Sequence, residues 1–482
     1  MNVILQSLGA AATVTGSKHL LKTPELNILV DCGLFQGIKS LREQNWQSLP
    51  FDASKIDLII LTHAHLDHCG YIPLIVKNGF KGKIYMSSPT AALTKLILLD
   101  SAKLQEEDAA SANRHHYTKH HPAKPLYTVA DAQACFKYFA EVEEDRSLKL
   151  SEHISFVFRR CGHILGACSA LIACYGKKIL FSGDIGRTHS EILPPPHFFT
   201  EADYVVMEST YGDRLHGNDD PYLELEYWIN HTLKKGGNVL IPSFAVGRAQ
   251  ELMYMLSSLK KQHRIPTALP IIMDSPMAAA ATEIAVNFSD NYLTVPKINW
   301  LEMMHHLKIN KEFSNTQRLA NDKQCKIVIA ASGMLTGGRV LEYLKHYLGN
   351  ENNTILMIGF QAEGTRGRAL LNGAHELKIH GKFYPVKAKA IEILGLSAHA
   401  DQAELIAWVK KLNPVPKQLM LVHGEPCAQE MLRVKLQDEL HVPVKVMKQN
   451  QDVILFACHD EGDESHPVAT LVPNDQNPFG KY

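Results

Sequence analysis

The sequence predicts an α/β fold. Short runs rich in Val, Ile and Leu recur along the chain, amphipathic stretches of helical spacing lie between them, and most runs end in Asp, His, Gly or Ser, where a strand gives way to a loop. In order, the runs span 27–30, 56–61, 178–181, 204–207, 238–241, 271–273, 327–330, 354–358 and 418–422, each about the length of a strand. Between them, 248–259 sets Leu252, Met255, Leu256 and Leu259 on one stripe. Leu405, Trp408, Val409 and Leu412 repeat that spacing, so both stretches read as helices with one buried face. Asp401, with Glu404 three residues on, reads as the capped start of the second.

The 482 residues suit two or three domains, and a 45% hydrophobic share supplies ample core, which excludes disordered and collagen-like chains. Charge is balanced, 50 Lys+Arg against 50 Asp+Glu, so no whole-molecule field holds nucleic acid without specificity. An anionic substrate must be gripped locally. The N-terminal MNVILQSLGAAATVTG lacks the basic start of a secretory signal, and no apolar stretch is long enough to span a bilayer; a cytoplasmic protein without membrane partners is expected. The 9 Cys form an odd set without a C-x-x-C pair, which suits buried, reduced thiols better than a disulfide scaffold. The polar, Pro- and Gly-bearing tail after Cys458 is expected on the surface.

Histidine is over-used, at 25 residues, and dispersed. The segment RHHYTKHHP at 114–122 reads as a solvated loop. The sharpest signal is LTHAHLDHCG, which puts His63, His65, Asp67 and His68 directly after an apolar run. Alternate residues of an extended segment share a face and the following turn can swing Asp67 and His68 inward, so the four can converge on one point. Imidazole with carboxylate suits Zn²⁺ or a similar divalent ion. One loop cannot complete two open metal sites, and the same strand-exit rule finds Asp31, His163, Asp184 and His423 elsewhere. Singly, each fits a turn cap as well; with the loop they form a set.

Rival motifs fail. Gly359 to Gly364 has the spacing of a phosphate-binding loop, but Thr365 and Arg366 follow where Lys and Ser/Thr belong. His375-Glu376 with His380 misses the helical spacing of zinc proteases, and neither G-x-S-x-G nor G-x-G-x-x-G occurs.

Asp31, the His63-x-His65-x-Asp67-His68 loop, His163 and Asp184 follow in order the first four motifs of the metallo-β-lactamase-fold hydrolases, which this chain resembles over about its first 210 residues. The remainder resembles the β-CASP nucleases, through Glu208 in MESTYGD, His399 in LSAHADQ, His423 in LVHGE, and the segments IPSFAVGRAQEL, IAASGMLTGGR and GFQAEGTRGRAL. Within that branch it is similar to RNA-processing members of bacterial and archaeal type and to the endonuclease subunit of cleavage and polyadenylation. RNA-acting members carry His at the last of the three motifs and DNA-acting ones Val; here it is His423.

The resemblance implies a four-layer αββα metallo-β-lactamase unit from 1–208 and 372–458, an inserted α/β β-CASP unit at 209–371 that roofs a cleft, and a polar tail at 459–482. It implies two Zn²⁺ ions, one held by His63, His65 and His163, the other by Asp67, His68 and His423, with Asp184 bridging and Asp31 supporting the histidine loop. Catalysis falls to Asp67, Glu208 and His399. A carboxylate partner raises a histidine's pKa and sets its tautomer, so His399 beside Glu208 suits the proton donor that phosphodiester hydrolysis requires. Ser332, Gly333, Gly364, Thr365 and Arg366 are implied substrate contacts. The implied function is hydrolysis of single-stranded RNA to 5′-phosphate and 3′-hydroxyl ends. A thioesterase-like small-molecule hydrolase and a non-catalytic RNA-binding scaffold are the alternatives, and a homodimer is left open.

Overall fold

Alternation within the first apolar runs dictates a sandwich. In the strands Asn27–Val30 and Leu58–Ile60, Ile28, Val30, Leu58 and Ile60 face one way and meet Phe156, Ile172, Phe181, Val206 and Met420 of a second sheet, while Leu29 and Ile59 face the other. The computed structural model describes residues 1–115, 122–217 and 220–458. Its first sheet runs Asp452–Ala457, Asn2–Ser7, His19–Lys22, Asn27–Val30, Leu58–Ile60, Lys83–Met86, Phe139–Glu141. The second runs Val444–Val446, Gln418–Leu421, Tyr204–Met207, Lys177–Phe181, Cys168–Cys174, Ile154–Arg160, Leu148–Lys149.

Helices cover both outer faces. Ile72, Ile75, Leu93 and Leu98, from the helices Ile72–Lys77 and Ser88–His115, lie on the first sheet. Leu405, Trp408, Leu432 and Leu436, from Gln402–Val409 and Pro426–Leu440, lie on the second. The layers are therefore α, β, β, α. Asp401 caps its helix as expected, accepting from the Glu404 amide at 2.9 Å while the Glu404 carboxylate accepts from the Asp401 amide at 3.1 Å.

A third sheet, wholly parallel, runs Lys308–Ile309, Ile271–Asp274, Ile327–Ala330, Val239–Pro242, Thr354–Met357, Lys389–Glu392. Val239 and Ile241 face the helices Arg248–Lys261 and Pro276–Tyr292, and Leu240 faces Val340–Tyr347, so the sheet is buried on both sides. Its last strand lies beyond residue 371, where the sequence reading closes the inserted unit. Lys389–Glu392 adds alongside Thr354–Met357, and with its half-exposed side chains it forms no apolar run.

No disulfide forms among the described residues, and thiols such as Cys32, Cys69 and Cys161 are buried. Among those residues no helix is long and apolar enough to cross a membrane. His115 ends its helix; His116, His120, His121 and the tail 459–482 lie outside the described residues.

One buried histidine makes the fold acid-sensitive. His19 sits 3.0 Å from the Ser7 hydroxyl and 3.2 Å from that of Ser17, and burial, with His68, His423 and Lys18 nearby, pushes its pKa down from 6.5 to about 3. Between those values the unfolded chain binds more protons, so stability falls as pH drops through that window. At about 1.4 kcal/mol per pH unit, the loss is on the order of several kcal/mol. His19→Gln keeps hydrogen-bonding groups for both serines without a titrating ring. It is expected to flatten the fall in the urea midpoint between about pH 6.5 and pH 4; an unchanged slope would exclude His19 as its source.

Candidate metal centre

The strand Leu58–Ile60 runs out through Thr62 into the helical turn Leu66–Cys69, with His65 in extended conformation at its N-cap. His63 and His65 thus share a face, and the turn brings Asp67 and His68 round to them. A neighbouring loop clamps this one: Cys32 donates to the His68 carbonyl at 2.7 Å, and Leu34 to that of Leu66 at 3.1 Å. Only glycine fits between them, because a Cβ on Gly33 would lie 1.6 Å from the Asp67 carbonyl oxygen.

Each histidine of the cluster except His65 ties its outer nitrogen to protein. His68 Nδ1 donates to Asp31 at 2.7 Å. His63 Nδ1 lies 3.1 Å from Thr62 Oγ1, whose hydroxyl donates to Asp31. His163 Nδ1 lies 3.3 Å from the Ala398 carbonyl, and His423 Nδ1 lies 3.0 Å from Thr210 Oγ1. These bonds turn bare lone pairs inward. His65 Nδ1 lies 3.2 Å from His63 Nε2 and 3.1 Å from His163 Nε2, and Asp184 Oδ2 lies 3.4 and 3.5 Å from the latter two. The edge of a tetrahedron of ligands about 2.05 Å from zinc is about 3.3 Å. The donor set and its spacing therefore fit a tetrahedral cation.

A second group adjoins the first. His68 Nε2 is 3.3 Å from His423 Nε2, which is 3.4 Å from Asp67 Oδ2, and Asp184 Oδ1 lies 3.3 Å from His68 Nε2. Asp184 thus shows one oxygen to each cluster.

Electrostatics agree. Burial holds His63 and His163 well below their usual pKa and His65 at about 4, so these rings are neutral, the form that can ligate a metal. For Asp184, burial pushes the pKa up, but His423, His68 and His63 outweigh it and keep the carboxylate ionised. His68 is opposite: burial lowers it, yet Asp184 and Asp31 raise it well above normal. A cation at its Nε2 must displace a proton.

Beside this centre, Glu208 accepts from His399 Nδ1 at 3.1 Å on both oxygens. Glu208 is itself fixed by the Ile185 amide at 2.6 Å and the Thr210 amide at 3.3 Å. Burial disfavours the charged His399 ring, but Glu208 overrides it and raises the pKa. The His399 ring stands 4.6 Å from that of His163.

The implied substrate contacts line the loops of the third sheet. Gly333 lies against Phe244, whose ring is 6.2 Å from His65. The Thr365 hydroxyl is already used, donating to the Ala362 carbonyl at 2.7 Å and accepting from the Arg368 amide at 3.2 Å. Arg366 donates to the carbonyls of Lys378, Leu335 and Thr336, and Ser332 Oγ lies 3.1 Å from that of Thr336. Sequence reasoning missed Thr62 and Thr210, which orient His63 and His423. Their only signal is adjacency, one residue before His63 and two after Glu208.

Three family models match the chain: the metallo-beta-lactamase superfamily over 16–227, the Beta-Casp domain over 249–370 and the Zn-dependent metallo-hydrolase RNA specificity domain over 384–447. A ribonuclease of Thermus thermophilus, TTHA0252, is 34% identical over 427 residues, covering 86% of this chain and 92% of its own. This chain belongs to the β-CASP ribonuclease family. An RNase J-like protein of Methanocaldococcus jannaschii is 32% identical over 435 residues, covering 88% of this chain and 93% of its own. The transcription termination factor FttA of the same organism is 32% identical over 441 residues, covering 87% of this chain and 66% of its own.

In this β-CASP chain, Asp31 is the structural hub of the histidine loop. Asp31→Ala is expected to weaken divalent-metal binding about 10- to 100-fold in titration against a competing chelator. Unaltered affinity would show that the loop orients itself.

Proposed function

We propose that the protein is a zinc-dependent ribonuclease that hydrolyses phosphodiester bonds of single-stranded RNA at a dinuclear centre. His63, His65 and His163 would hold one Zn²⁺, Asp67, His68 and His423 the other, and Asp184 would offer one oxygen to each. The observation that carries this reading is the placement of Asp184, whose Oδ2 lies 3.4 Å from His63 Nε2 in the set with His65 and His163 and whose Oδ1 lies 3.3 Å from His68 Nε2 of the adjoining set. Bound there, paired zinc ions supply an activated water and neutralise charge gathering on the phosphoryl oxygens.

The remaining work is done by side chains. Asp31 orients His68, and Asp67 adds negative charge at the second set. Glu208 accepts a hydrogen bond from Nδ1–H of His399 and holds the ring protonated, which leaves Nε2–H as the proton delivered to the departing 3′ oxygen as its bond to phosphorus breaks. The oxygen of water joins phosphorus, and the products carry a 5′-phosphate and a 3′-hydroxyl. Phe244, 6.2 Å from His65, roofs the centre too closely for a duplex, which supports an unpaired strand. Gly333, Gly364 and Ser332 offer backbone and hydroxyl groups to flanking phosphates, Thr365 shapes the turn, and Arg366 adds charge.

A thioesterase-like role leaves the inserted unit and the Glu208–His399 pair without a task. A non-catalytic scaffold has no use for intact ligand sets. The buried thiols support a cytoplasmic location.

Purified protein is expected to cleave unstructured RNA, to lose that activity with chelator and regain it with Zn²⁺, and to bind two zinc ions per chain by elemental analysis. His65→Ala is expected to abolish both binding at the first set and cleavage; chelator-resistant cleavage, or full activity in that variant, contradicts the proposal. His399→Ala is expected to lower kcat about 10²- to 10⁴-fold while zinc content holds.

A further inference from the structure

His399 reaches the centre on a segment with little regular structure: the short 3₁₀ turn Leu394–Leu396 and one bridge between His399 and Gly186. Buried carbonyls in such a segment need donors from elsewhere. They come from side chains of four separate places. Arg187 donates to the Gly395 carbonyl, Arg248 to that of Leu396 at 2.9 Å, His163 Nδ1 to that of Ala398 at 3.3 Å, and His216 Nε2 to that of His399 at 2.9 Å.

His216 has no part in the chemistry above. Its bond to a carbonyl requires the proton on Nε2, and its Nδ1 is buried with no hydrogen-bond partner. Its backbone amide donates to Asp401 Oδ2 at 2.9 Å, so the same residue grips both His399 and the cap of the following helix. The Tyr211 ring stands edge-on to it at 4.8 Å. Arg248 opens the helix Arg248–Lys261 of the inserted unit and is buried. It pairs with Glu251, whose carboxylate accepts from the Ser190 hydroxyl at 2.9 Å and the Glu191 amide at 3.2 Å.

We infer that His216 and Arg248 are positioning residues for His399. Together they hold the 394–399 carbonyls so that the His399 ring stays between Glu208 and the metal centre, and Arg248 makes that placement depend on how the inserted unit is seated. The inference rests on the reading of His399 as proton donor. A displacement of about 1 Å in a catalytic group can cost about 10²-fold in rate.

The test compares two substrates on the zinc-loaded full chain: an RNA oligonucleotide, whose 3′ oxygen leaves only with a proton, and bis(4-nitrophenyl) phosphate, whose leaving group departs as a stable anion. His399→Ala serves as reference. His216→Ala and Arg248→Met are expected to lower kcat on RNA about 10- to 100-fold with KM little changed, and to lower the RNA-to-aryl rate ratio about tenfold or more. His216→Gln, whose side-chain amide can donate to the same carbonyl, is expected to restore most of the RNA rate. Hydrogen exchange of the 394–400 amides is expected to quicken in His216→Ala. Equal losses on both substrates, a Gln variant no better than Ala, or unaltered exchange would each overturn the inference. A His399→Ala ratio matching the wild type defeats the donor reading instead, and the exchange rates still decide whether His216 holds the segment.

Discussion

Bare imidazole nitrogens brought within 3.1–3.5 Å of one another and of a carboxylate repel, and that repulsion is the constraint the rest of the structure answers. Each ring of the cluster save His65 is turned by an outward hydrogen bond to Asp31, Thr62, Thr210 or the Ala398 carbonyl; Asp31, Thr62 and Thr210 lie just past the ends of interior strands. The arrangement is unfavourable without a cation and tight with one. Burial sharpens both effects, since it keeps the His63, His65 and His163 rings neutral and lowers the dielectric around them.

The sandwich and the inserted sheet divide the labour. The two seven-stranded sheets bring five loops, those of Asp31, His63 to His68, His163, Asp184 and His423, to one end of the core. The parallel sheet presents the carboxyl ends of its strands to that same end, where Phe244 and Gly333 face the centre, the usual place for a ligand on an open α/β sheet. Glu208 and His399 lie where the two parts meet, so the His399 ring and the carbonyl that Arg248 of the inserted unit grips share one short segment.

Legibility in the sequence followed burial pattern. Every apolar run read as a strand is one, because strands covered on both faces, such as Val239–Pro242 and Ile327–Ala330, are apolar throughout. Strands with one half-exposed face escaped notice: Ile154–Arg160 alternates buried and partly exposed residues, and Lys389–Glu392 is half-exposed along most of its length. The site was legible for a related reason. His63, His65, Asp67, His68, Asp184 and His423 all stand at or just past the exits of the most apolar strands.

What the sequence determined by itself was the α/β class, the metal-type side chains and their order along the chain, because strand exits and ligand chemistry are local properties. Only the tertiary structure decided which oxygen of Asp184 faces which cluster, that Thr62 and Thr210 orient the rings, and that Arg187, His216 and Arg248 converge on the carbonyls around His399. Those are relations between segments up to hundreds of residues apart, set by how the layers pack, and backbone carbonyls leave no mark in a side-chain alphabet.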